Sequence, residues 1–92
     1  MHRRQKGILN SLAKRLEIPQ DIILDLPRIT MLGNKQVLIE NHKGIIEYTT
    51  CLVRVKLNEG ELIIRGAKLL LGNLQAEQIL VEGTVQEVIY DN

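Results

Sequence analysis

Along Leu52–Gly66 (LVRVKLNEGELIIRG) the hydrophobic and polar positions first alternate and then run together. Val53, Val55 and Leu57 alternate with Arg54 and Lys56, the period-two pattern of a strand with one buried face. Leu62-Ile63-Ile64 follows as an unbroken aliphatic run, which predicts a strand covered on both faces. Between them, Asn58-Glu59-Gly60 supplies residues that tolerate the positive φ of a hairpin or bulged turn. The stretch therefore predicts two strands joined by a tight turn.

The pattern changes period toward the start of the chain. Ile8, Leu9, Leu12, Ala13 and Leu16 recur at three-four spacing, so residues 5–17 predict a helix with one apolar stripe flanked by Lys14 and Arg15. Pro19 ends this helix or opens a short helical turn over residues 19–24. Asp25-Leu26-Pro27 closes that turn, because a residue before proline is pushed out of the α region. From Arg28 onward the signals are those of strands. Arg28–Leu32, Gln36–Glu40 and Ile45–Thr49 are separated by Gly33-Asn34-Lys35 and Asn41-His42-Lys43-Gly44, where Gly44 suits the left-handed position of a bulged loop. Beyond the central pair, Ala67–Leu71, Glu77–Glu82 and Thr84–Tyr90 are punctuated by Gly72-Asn73 and Gly83. The chain divides into a basic helical lead over 1–26 and a β-rich domain over 27–92. The expected fold is mainly β: a small antiparallel sandwich or roll of about eight short strands. Gly60, Gly66 and Gly72 fall six apart, the spacing of β-solenoid turns, so a solenoid is the competing architecture.

Several strands carry aliphatic residues at both parities, Val37 and Ile39 against Leu38, and Ile79 and Val81 against Leu80. Either the sheet is covered on both sides within one chain, or one face is a subunit contact. A domain of 92 residues gains much from the second arrangement, since a chain this short buries only roughly 60–65% of its unfolded surface.

Composition narrows the function. Leu, Ile and Val form about a third of the chain and Phe and Trp are absent, so the core is aliphatic. Only Tyr48 and Tyr90 are left as stacking platforms, and the net charge is +1, which argues against a nucleic-acid binder. The charge is uneven, with Arg3, Arg4, Lys6, Lys14 and Arg15 in the lead and Glu77, Glu82, Glu87 and Asp91 after the last lysine. A single cysteine forbids an intrachain disulfide. No aliphatic run approaches the roughly eighteen residues of a membrane span, and the apolar stretch at Ile8-Leu9 is too short for a signal peptide. These features predict a soluble protein of a reducing interior.

No catalytic set assembles from two histidines and one cysteine. His42 sits between Asn41 and Lys43 as a solvated loop residue, and Cys51, without a basic neighbour, reads as a small apolar filler. Metal ligation would need more His, Cys or acidic ligands at suitable spacing. Asp21 and Asp25 are four apart, but a helix-start acid explains Asp21 better than general acid–base chemistry. No metal and no cofactor is expected. The feature with a functional edge is the lead: Arg3, Arg4, Lys6, Ile8, Leu12, Arg15 and Leu16 combine an apolar stripe with a cationic flank. They dock on the β domain itself, or on a partner protein or anionic membrane surface. Against lipid alone about five cations at about 1 kcal/mol each bind weakly, so a membrane-bound partner makes the attachment more plausible.

Four segments in order, Leu26–Gly33 (LPRITMLG), Ile39–Ile45 (IENHKGI), Leu62–Gly66 (LIIRG) and Glu82–Val85 (EGTV), resemble the YabP/YqfC family of sporulation proteins. Order and spacing, with the basic lead before the LPRIT segment, are most similar to its YqfC-like branch. The resemblance implies a non-enzymatic protein of endospore formers, acting in the cytoplasm of the mother cell or peripherally at a membrane. It also implies work alongside YqfD, a membrane-associated sporulation protein. It carries no catalytic residues. Arg28, Glu40, His42 and Arg65 are polar positions within the matching segments and are candidate partner contacts. Pro27 and the glycines at 33, 44, 66 and 83 have structural explanations in strand starts and turns. Together these observations predict an assembly module that self-associates and docks on a membrane-associated partner, with a ligand-binding or regulatory β-barrel as the alternative.

Overall fold

A computed structural model of the chain describes residues 25–92. The expected helix over 5–17, the lead 1–26 apart from its last two residues, and the candidate contacts from Arg3 to Leu16 lie outside the described residues. The β-rich part is one six-stranded antiparallel sheet. Its strands are β1 (Arg28–Leu32), β2 (Gln36–Glu40), β3 (Gly44–Tyr48), β4 (Leu52–Lys56), β5 (Glu61–Gln75) and β6 (Gln78–Asp91), in the spatial order β1-β2-β6-β5-β4-β3.

Two expectations are corrected here. The strands number six instead of eight, because what reads as four short segments after Gly60 is one long hairpin, β5–β6. Gly66, Gly72 and Gly83 look like strand ends but lie inside these strands. Gly66 and Gly83 mark the places where the hairpin bends. The β5–β6 register slips between Arg65 and Gly66 and again between Ala67 and Leu70, with Lys68 in a left-handed conformation at φ 56°. A Cβ on Gly66 would stand 2.0 Å from the Thr84 carbonyl oxygen, so the strands approach at a distance that only glycine allows. Gly83 has φ +139° and faces the Lys68 carbonyl across the same bend. The solenoid alternative falls with the same finding, since every strand pair is antiparallel, whereas stacked solenoid turns place parallel strands side by side.

The bend divides the sheet into two halves. One holds β1, β2 and the facing parts of β6 (Gln78–Glu82) and β5 (Leu70–Gln75); the other holds β3, β4 and the remaining ends of β5 (Glu61–Arg65) and β6 (Glu87–Asp91). Hydrogen bonds at the corner hold the halves in place: Gly83 and Val85 donate to the carbonyls of Lys35 and Asn34, and Gly66 and Leu69 to those of Cys51 and Thr50. Val37 and Ile39 of β2 and Val53 and Val55 of β4 are all fully buried in one cluster. In a flat sheet those strands stand three spacings, about 14 Å, apart with one face bare. Their common burial follows from the curl, which makes the fold a roll around an aliphatic core completed by Leu57, Leu62, Ile64, Leu69, Ile79, Val81 and Val85.

The central hairpin forms as its pattern predicts: Leu57 donates to the Gly60 carbonyl at 3.0 Å, and Gly60 takes φ 77°. Val53, Val55 and Leu57 face the core. Ile63 differs from expectation, being half-buried on the outer face between Arg54 and Ile89 while Leu62 and Ile64 point inward. Leu38 and Leu80, register partners, are likewise half-buried on the outer face.

Candidate functional site

Among the described residues the sheet does not close on itself: β1 pairs only with β2, and β3 only with β4. Each edge strand therefore presents one side that no described strand pairs with, a place where another strand can add. Both edges also expose apolar side chains. On β1 these are Met31 (48% exposed) and Leu32 (66%); on β3 they are Ile45, Ile46 and Tyr48, each above 40%. Tyr48 is anchored at its tip, its hydroxyl donating to the Leu69 carbonyl at 2.8 Å, so its ring is held in place beside the corner. The long β5–β6 hairpin occupies the middle of the sheet, and of the four five-residue strands β2 and β4 flank it while β1 and β3 lie outermost.

The outer face of the β3–β4–β5 half is a charged lattice. Arg54 donates to both oxygens of Glu61, at 2.6 and 2.9 Å, and to Glu47 at 3.1 Å. These three residues come from adjacent strands, so the pairs run across the ladder. The hydrogen bonds from Arg54 hold the Glu61 carboxyl below the usual carboxylate range, and Glu61, then Glu47, raise the guanidinium further. Arg65 and Glu87, also register partners, meet at 3.5 Å.

At the opposite corner the start of β1 is tied to the β2–β3 turn. Asn41, in the left-handed region at φ 63°, donates to the Asp25 carboxylate and to the Leu26 carbonyl, both at 3.0 Å. The hydrogen bond from Asn41 lowers the Asp25 pKa; desolvation opposes it, and Lys43 at 3.5 Å adds smaller lowering effects through its charge and its hydrogen bond. Asn41 and Gly44 (φ 135°) both take positive φ, so the turn has two such residues, the expected glycine and Asn41. His42 is half-buried, and its Nδ1 accepts from the Gly44 amide at 2.9 Å, so it shapes the turn instead of standing free in solvent. Beside this junction a half-open cleft of about 370 Å³ is bounded by Asp25, Leu26, Pro27, Leu57, Glu59 and Tyr90.

The structure brings three of the four polar candidate contacts together. Arg28 and Glu40 are register partners on β1 and β2, and His42 follows two residues after Glu40. Glu40 also accepts from the Gln78 side-chain amide at 3.0 Å. Arg65 belongs to the other half of the sheet, where Leu52 and Glu87 flank it. The apolar edge positions Met31, Leu32, Ile45, Ile46 and Tyr48 were not among the sequence candidates. The adjacent isoleucines 45 and 46 are their one sequence signal, since two neighbouring side chains of a strand cannot both face the core unless a bulge intervenes. Cys51 is exposed in the β3–β4 turn, where its amide donates to Thr49 Oγ1 at 3.1 Å; it is not an apolar filler. Among the described residues no three His, Cys, Asp or Glu side chains gather as a metal site, and no helix is long and apolar enough to cross a membrane.

Comparison with known proteins agrees with the resemblance of the four segments. The model of the YabP family matches residues 25–92, the whole of the described sheet. The chain is also 40% identical over 90 residues to the uncharacterised protein YqfC of Bacillus subtilis (strain 168), an alignment that covers 98% of this chain and 97% of that one. No solved structure matches. On both grounds the chain belongs to the YabP family, and within it is similar to YqfC over nearly its full length.

Proposed function

We propose that the protein is a non-enzymatic assembly module of sporulation, which associates with itself through its sheet edges and docks on a membrane-associated partner. The observation that carries this reading is the pair of open edges, each with aliphatic side chains held at the surface of an otherwise well-packed roll. An exposed apolar edge is a hazard in a protein that works alone and a joint in one that works in an assembly. Membership of the YabP family supports the setting in sporulation, and the basic amphipathic pattern of residues 1–26 supports docking at a membrane. In this reading Leu12 and its stripe, with Arg3, Arg4, Lys6 and Arg15, contact the membrane-associated partner, a protein of the YqfD kind, while the sheet contacts other copies.

Fractionation of sporulating cells tests the docking half. Wild-type protein is expected with membranes, and Leu12→Glu in the soluble fraction with an unchanged β circular dichroism spectrum. A Leu12→Glu protein that fractionates like wild type removes the lead as the anchor. The solution mass of the purified chain tests the self-association half.

A further inference from the structure

The two edges differ in a way that decides what can pair with them. On β3 the register with β4 slips between Ile45 and Glu47, so Ile46 is the extra residue of a bulge. A bulge twists an edge strand and blunts further pairing. β1 has no such device. All five residues from Arg28 to Leu32 stand in unbroken register with β2, and none of them is a lysine, a proline or an inward-pointing charge. Pro27, which has no N–H, limits pairing on the N-terminal side and so defines a five-residue edge.

The β1 sequence is complementary to itself. If two copies run antiparallel about Thr30, Ile29 of each lies opposite Met31 of the other, Arg28 opposite Leu32, and Thr30 opposite Thr30. Ile29 and Met31 both sit on the core-facing side, Ile29 packed against the core and Met31 half exposed. Pairing them continues the aliphatic layer past the edge, where Met31 already forms one wall of a surface hollow of about 380 Å³ with Val85 and Val88. On the outer face the stem of Arg28 covers Leu32, the more exposed of the two β1 residues. A pair of threonines facing each other across strands is itself favourable. This register works whether the Thr30 amide points toward β2 or away, because a two-fold axis through a residue is compatible with either ladder parity.

We propose that β1 is a two-fold dimer interface, pairing antiparallel with β1 of a second copy about Thr30 to form one continuous twelve-stranded sheet. The proposal rests on the assembly reading above and makes it specific: both β1 edges are consumed, the two remaining edges are bulged, and growth by strand addition stops at two. The interface is isologous, the commonest type in soluble oligomers.

The test uses the full chain with the exposed native thiol removed (Cys51→Ser) and one cysteine introduced. Opposed Cβ atoms in an antiparallel pair lie about 4.5–5.5 Å apart, close to disulfide range. Thr30→Cys is therefore expected to cross-link to a covalent dimer under mild oxidation, and Ile46→Cys on β3 to remain uncross-linked. Thr30→Lys, which places two like charges on the axis and leaves the monomer's core untouched, is expected to raise the dimer dissociation constant about fivefold or more. A defined oligomer in which Ile46→Cys cross-links and Thr30→Cys does not overturns the β1 pairing and leaves the assembly reading standing. A wild-type chain that stays monomeric at every concentration overturns both the β1 pairing and the self-association reading.

Discussion

Replacing Gly66 with alanine tests the bend on which the roll depends. The added Cβ would stand 2.0 Å from the Thr84 carbonyl oxygen and 3.2 Å from a Leu69 methyl. An ordinary carbon–oxygen contact is roughly 3.2 Å or more, so one backbone must retreat by about 1 Å. Both sides of that contact are pinned, since Gly66 donates to the Cys51 carbonyl at 3.0 Å while Gly83 and Val85, on either side of Thr84, donate to the carbonyls of Lys35 and Asn34 at 3.1 and 2.8 Å. Loss of two such bonds costs about 1–3 kcal/mol, and displacement of the fully buried Leu69 adds about 1 kcal/mol or more. Reduced chain entropy in the unfolded state returns about 0.4–1 kcal/mol. The net expectation is a loss of about 1–4 kcal/mol, a large part of the roughly 5–15 kcal/mol available to a small domain. Gly72→Ala is the matched control within β5: its Cβ meets nothing closer than the Leu80 Cβ at 3.8 Å, so its effect is expected within about 1 kcal/mol of zero. Urea unfolding at fixed protein concentration measures both. With a slope of about 1–2 kcal/mol/M, Gly66→Ala should lower the midpoint by about 0.5–4 M. Equal midpoints for the two variants would refute the close approach of β5 and β6 at this corner.

Other consequences follow from individual contacts. Ile39→Ala removes a fully buried side chain from the centre of the core and should cost about 2–5 kcal/mol in the same assay. Tyr48→Phe loses the hydrogen bond to Leu69, and about 0.5–1.5 kcal/mol of stability, without altering the fold seen by circular dichroism. Asp25 and Glu61 both titrate below their ordinary values of 3.8 and 4.5, so the unfolded chain takes up their protons first. Their contribution is complete above those values and is lost as the pH falls through the lower folded ones. Urea midpoints should therefore decline in acid below about pH 5, and the decline should be shallower in Glu61→Gln.

Much of the roll is legible in the chain, and the part that is not has a physical reason. The alternation of Val53, Val55 and Leu57 identifies a half-buried strand because side-chain direction reverses at every residue, and that local rule holds wherever the strand lies in the sheet. Strands at 28–32 and 36–40 are legible for the same reason, with Gly33 marking the turn. Glycine is ambiguous in a way that apolar periodicity is not. Gly60 ends a strand and Gly66 bends one, and what separates the two is the Thr84 carbonyl, eighteen positions away in sequence and invisible from the local pattern. The same ambiguity turned the long β5–β6 hairpin into four short strands. Edges are illegible for a related reason: the order β1-β2-β6-β5-β4-β3 decides that Met31 and Ile45 are exposed while Val37 and Val55, of similar local pattern, are buried. Of the polar candidates, Arg28, Glu40 and His42 cluster because they flank one hairpin, whereas Arg65 was grouped with them by segment resemblance alone.

The central claim is that the open edges of the sheet are used for self-association. It is tested most directly by the solution mass of the purified full-length chain, measured by light scattering after size exclusion over a hundredfold range of concentration. The account predicts a dimer that dissociates only at the dilute end and does not grow at the concentrated end. A mass of one chain, 10.5 kDa, across the whole range would contradict it.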